Sequence, residues 1–211
     1  TAAAAAEHAR EALRQMNRTS PPPVVAGAED PMAGAVTPLD SEGAQLLRRE
    51  ACRFSPEQRL AVLVIGSATD VASALLQDPA LADRIEVVGM GFDRWPEGGD
   101  PWNVKNDVCA WQVLLASRVP ITVGPIDACL RHLILTREAA RAMLSPAGEP
   151  GRFLLSIMEK YLDRSAEEAR AVTGRPDAWP VWDLIAAAHL LGLTRTATYP
   201  RPRLRDDVTF D

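Results

Sequence analysis

The chain has 211 residues, 47% of them hydrophobic and 24% charged, with a formal net charge of −5. That length suits one compact domain and is short for two ordinary ones; the composition excludes wholesale disorder, and the acidic balance without a basic stripe excludes a general attraction to nucleic acid. No apolar run approaches the ~20 residues of a membrane helix, and Cys52, Cys109 and Cys129 are too far apart for a zinc site or a disulfide framework, which fits a reducing cytoplasm.

Residues 2–17 read as an alanine-rich amphipathic helix with Ala9, Leu13 and Met16 along one face. The alanine run 2–6 is followed at once by Glu7, His8, Arg10 and Glu11, so it reads as a helix start and not a targeting segment. Ser20 and three prolines end it, and 24–26 reads as a short strand. A second helix starts near Ser41 and carries Leu46 and Leu47, and Ser55-Pro56 marks a turn. Residues 60–65 form a continuous apolar run, as expected of a parallel strand covered on both faces. A helix through Val71, Leu75 and Leu76 follows, then strands at 85–90 and 119–123 on either side of a helix at 106–117, with Asp107 near its start. After Thr136 the pattern turns helical, through 153–171 and again at 182–191. Alternation at this spacing predicts an α/β fold with a mostly parallel central sheet flanked by helices, in one domain over 1–211. In such sheets ligands bind beyond the carboxyl ends of the strands, which nominates the segments after Ile65, Met90 and Val123.

Those strand ends carry a resemblance. Val64-Ile65-Gly66-Ser67-Ala68-Thr69-Asp70-Val71-Ala72, followed by Leu75-Leu76-Gln77-Asp78-Pro79, resembles the G-P-L-T-N-V-A segment of nucleoside hydrolases. Val88-Gly89-Met90-Gly91 is similar to the family's V-V-M-G-G, and Trp102-Asn103-Val104-Lys105-Asn106-Asp107 to its E-F-N-x-x-x-D-P. Val119-Pro120-Ile121-Thr122-Val123 matches the strand that follows, and Val181-Trp182-Asp183-Leu184 stands where the family has H-D-P-L or W-D-P-L. Each stretch alone is weak; their order and spacing over 60–190 make the combination specific.

The resemblance implies the nucleoside hydrolase (Rossmann-like) fold and hydrolysis of the N-glycosidic bond of a ribonucleoside to base and ribose. In that family a calcium ion lowers the pKa of the attacking water and holds the ribose hydroxyls. Carried onto this chain, Asp183 matches a metal-ligating aspartate, and Ile65 offers a metal-ligating carbonyl. Asn103 matches the ribose-binding asparagine, and Met90 a residue lining the sugar pocket. Trp182 takes the place of a histidine that assists the leaving base, and an indole there resembles the purine-preferring branch, with a pyrimidine-selective enzyme left open. A cytoplasmic homodimer or homotetramer acting in purine or pyrimidine salvage is also implied.

Three departures accompany the match. The family's D-T-D-x-G-x-D-D stretch and its strand are absent, so the domain reads as N-terminally incomplete, either as a piece of a longer enzyme or as a binding relative without catalysis. Pro101 replaces the glutamate two residues before Asn103, leaving Asp100 or Glu97 as the nearby carboxylate for substrate. The 91–100 loop is short and lacks the second ribose-binding asparagine. Apart from the resemblance, Asp183 reads as a helix N-terminal acid, Asn103 as a turn residue, Trp182 as a core partner of Trp179, and His189 as a buried, satisfied histidine. No Ser/His/Asp or Cys/His set has motif support, and Gly89, Gly91, Gly98 and Gly99 do not make a dinucleotide-binding fingerprint.

Overall fold

The computed structural model describes residues 1–17 and 20–211. Helices α1 (Ala2–Gln15) and α2 (Glu42–Ala51) precede β1 (Leu60–Val64), which is followed by α3 (Thr69–Gln77), β2 (Ile85–Met90), α4 (Val108–Ala116) and β3 (Ile121–Gly124). Then come α5 (Ile126–His132), β4 (Ile134–Thr136), α6 (Arg137–Leu144), α7 (Gly148–Arg164), α8 (Ala166–Thr173), β5 (Ala178–Pro180) and α9 (Leu184–Leu190). The chain divides into two units, one of Thr1–Ala2, Val25–Asp127 and Asp183–Asp211, the other of Ala3–Val24 and Ala128–Trp182.

The first unit holds a three-stranded parallel sheet in the order β1-β2-β3, with Val64 opposite Gly89 and Met90 opposite Gly124. Both faces of β2 are covered, which explains why it is apolar at every position but the half-buried Glu86. Ile85 and Val87 turn toward a core that includes Leu75 of α3 and Trp111 and Leu114 of α4. The other face meets α9, which lies against all three strands. Two glycines set these approaches: a Cβ on Gly89 would come within 2.7 Å of the Trp111 ring, and one on Gly124 within 2.5 Å of Ile185.

A buried carboxylate, Asp107, and a half-buried one, Asp70, tie the loops of this unit to the helices. Asp107 caps α4 by accepting from the Ala110 amide at 2.9 Å, and also accepts from the Met32 amide at 3.0 Å and the Thr69 hydroxyl at 2.6 Å. Asp70 accepts from the Ala28 amide at 2.9 Å and the Ser41 hydroxyl at 2.5 Å, while Ser41 caps α2.

The second unit pairs β4 and β5 antiparallel, with Leu135 opposite Trp179. Thr136 ends β4 and caps α6 through the Ala139 amide. Helix α6 packs on α7, joined on the outside by an Arg141–Glu159 ion pair at 2.5 Å.

Several elements differ from the sequence reading. Residues 24–26 form no strand; the Val24 carbonyl accepts from the Arg10 guanidinium at 2.9 Å, so a side chain satisfies it where a ladder was expected. The third strand starts at Ile121 because Pro120 has no N–H to give, although its carbonyl accepts from the Val87 amide at 2.8 Å. The helical stretch expected at 153–171 begins at Gly148 and breaks at Ser165 into α7 and α8. His189 is half-buried and its Nδ1 bonds the Thr194 hydroxyl at 3.0 Å.

Candidate functional site

The carboxyl ends of β1, β2 and β3 lie side by side, because a parallel register keeps all three strands pointing the same way. Val64 faces Gly89 across the ladder, so Ile65 and Met90 leave the sheet as neighbours. Ile65 is 47% exposed, and Met90 is buried. Beyond Met90 the chain makes a tight loop, 91–104, that carries Asp93, Asp100 and Asn103 before turning into α4.

The structure brings Asn103 onto Met90. Its Nδ2 donates to the Met90 carbonyl at 3.0 Å and approaches the Met90 sulfur at 3.2 Å. With the amide nitrogen engaged there, Oδ1 is the atom left to accept a hydroxyl proton from a ligand at the strand end.

Asp100 is placed differently from a substrate-facing acid. It is buried, with 5% exposure, and its carboxylate already accepts from three backbone amides. Oδ2 takes those of Phe92 at 3.1 Å and Val104 at 3.2 Å, and Oδ1 takes that of Trp102 at 2.6 Å.

Asp93, which the sequence reading passed over, stands closer to solvent in the same loop. Burial, and after it the negative charge of Asp100, pushes its carboxyl above the ordinary carboxylate range. The signal available for it was position alone, three residues beyond the end of β2.

Asp183 stands at the N-cap of α9, the helix that covers the α9 face of the sheet, and makes no side-chain capping bond. Its surface is open, yet the surrounding protein desolvates it enough to raise its carboxyl above the usual range. Among the described residues no three His, Cys, Asp or Glu side chains gather as a metal site. Asp183 and the Ile65 carbonyl are two oxygen donors of the right chemical type, whereas calcium takes six to eight. These residues do not by themselves fit a calcium ion.

Trp182 belongs to the second unit. It is half-buried and stands edge-on to Trp179, with ring centres 6.2 Å apart, and Trp179 in turn packs on Tyr161 at 4.8 Å. Its backbone carbonyl accepts weakly from the Cys129 thiol.

Residues 1–205 match the family described as inosine-uridine preferring nucleoside hydrolase. Among solved structures, the chain is similar to a purine-preferring ribonucleoside hydrolase from Gardnerella vaginalis, with a TM-score of 0.68 and 20% identity over 82% of this chain and 56% of that one. It is also matched to an inosine-uridine preferring nucleoside hydrolase from Bacillus anthracis, with a TM-score of 0.49 and 18% identity over 72% of this chain and 48% of the other. No match was found among curated proteins. The chain therefore spans about half the length of the structures it resembles, and the first likeness shows a shared fold.

Proposed function

Because the chain belongs to the inosine-uridine preferring nucleoside hydrolase family, we propose that it carries the ribose-binding part of an enzyme that hydrolyses ribonucleosides to free base and ribose. The observation that carries this reading is Asn103 held on the Met90 carbonyl at the carboxyl end of β2, with Oδ1 free to accept from a ribose hydroxyl. In this reading Met90, buried at the end of β2, lies beneath the sugar.

Asp183 and the Ile65 carbonyl are the oxygen donors this chain offers to a calcium ion. Further ligands must come from outside this pair. A calcium ion held by Asp183, the Ile65 carbonyl and such further ligands would supply Lewis acidity toward a water. Trp182 is the indole available to stack on a leaving base, which favours a purine because the larger ring offers more stacking area. The short donor set favours a second reading, a nucleoside-binding relative that does not hydrolyse.

The deciding measurement is release of reducing sugar from inosine, adenosine, guanosine and uridine, with calcium and then with excess chelator, beside calorimetric titration with the same nucleosides. Calcium-dependent release supports the hydrolase and its ranking tests Trp182. Binding without release supports the second reading, and neither binding nor release overturns both.

A further inference from the structure

We infer that Asp100 is a positioning residue for Asn103, acting through the backbone on either side of it and without touching substrate. This inference rests on the ribose-binding reading of Asn103. The loop that carries both residues is held in a conformation its sequence disfavours: Phe92 has φ 66° and Asp100 φ 149°, both in the region L side chains avoid. Such backbone persists only where its surroundings over-determine it.

Here the surroundings are the Asp100 carboxylate and the C-terminal segment. The amides of Trp102 and Val104, the two neighbours of Asn103, both donate to Asp100, and the amide of Phe92, two residues past Met90, donates to the same group. One buried carboxylate thus joins the two ends of the loop: the end leaving Met90 and the end bearing Asn103. The Asn103 amide then reaches the Met90 carbonyl across that closed loop. From the other side, the Gly99 amide donates to the Val208 carbonyl at 2.8 Å, and Phe210 packs against Phe92 with ring centres 4.9 Å apart. A buried carboxylate that accepts from three backbone amides is directed at its own loop, and its charge-assisted bonds explain why this loop needs an Asp.

The substitution D100N tests this, because an amide offers one acceptor oxygen where three N–H groups converge on two. In NMR spectra of the full chain, D100N is expected to move the Asn103 side-chain amide and Met90 methyl signals while methyl signals of α7 in the second unit stay in place. Unmoved Asn103 signals in a folded D100N protein overturn the inference. Should D100N not fold, hydrogen exchange on the unaltered chain decides: the Phe92, Trp102 and Val104 amides are expected to exchange together as one opening unit, and independent exchange overturns it. Inosine affinity then gives the functional readout. D100N is expected to weaken it about tenfold, as for the loss of one buried charge-assisted hydrogen bond, and to have no further effect in an N103A background; an equal loss in both backgrounds overturns the inference. If the unaltered chain binds no inosine, the ribose-binding reading fails, while the NMR and exchange results still decide the positioning role.

Discussion

Asp107 and Asp93 are two acids with opposite physics. Asp107 is 3% exposed and its two oxygens accept from two amides and a hydroxyl, joining a loop, α3 and α4. Replacing it with alanine removes a helix cap and leaves the Met32 amide without its acceptor, a combined cost of about 2–4 kcal/mol. The check is the urea midpoint of D107A at unchanged m-value; a shift equivalent to less than about 0.5 kcal/mol would show that water replaces the carboxylate. Asp93 has the reverse balance, because burial and the Asp100 charge raise its folded-state pKa. A raised carboxyl binds its proton more tightly folded than unfolded, so stability is lost as pH climbs from the ordinary value near 4 through the raised one. D93N is therefore expected to melt with the unaltered chain at acid pH and above it near neutrality. Coincident melting curves across the whole range would sink this account.

At the scale of elements, the sheet works because small residues let helices approach both faces. Gly124 lies under Ile185, and G124A puts a methyl 2.5 Å from that side chain. Overpacking of this kind costs about 1–3 kcal/mol, and it is expected to displace α9 and with it Asp183. Thermal denaturation gives the cost, and an unchanged melting temperature would mean that Ile185 swings aside freely. The three parallel strands were legible because strands covered on both faces are dominated by apolar residues: 60–65 is apolar throughout, and 85–90 at all but Glu86. The short pieces were not. Strands β4 and β5 have three residues each, too few to show a period, and exist because Leu135 and Trp179 find each other across the chain. Likewise 24–26 begins with two valines but pairs with no strand among the described residues.

At the scale of the whole molecule, family membership and parallel α/β fold agree, while among the described residues no three His, Cys, Asp or Glu side chains gather as a metal site. Two oxygen donors give weak calcium affinity, so calcium at or below its Kd stabilises by less than about 0.4 kcal/mol. The expected result is a melting temperature that is the same with millimolar calcium as with chelator. A clear upward shift would reveal ligands beyond Asp183 and Ile65. No described helix is long and apolar enough to cross a membrane.

The sequence by itself determined the order of the three parallel strands and the helices between them, the family, and the carboxyl strand ends as the place to look. These follow from local apolar periodicity and from motifs whose spacing survives in one dimension. It also nominated Asn103, Met90 and Asp183 one at a time. Only the tertiary structure decided how they are placed. That the Asn103 amide rests on Met90, and that Asp100 is consumed by the amides of Phe92, Trp102 and Val104, depends on where a loop with positive φ folds back. A carboxylate reads the same in sequence whether it faces a ligand or its own backbone; the hydrogen-bond donors around it make the difference.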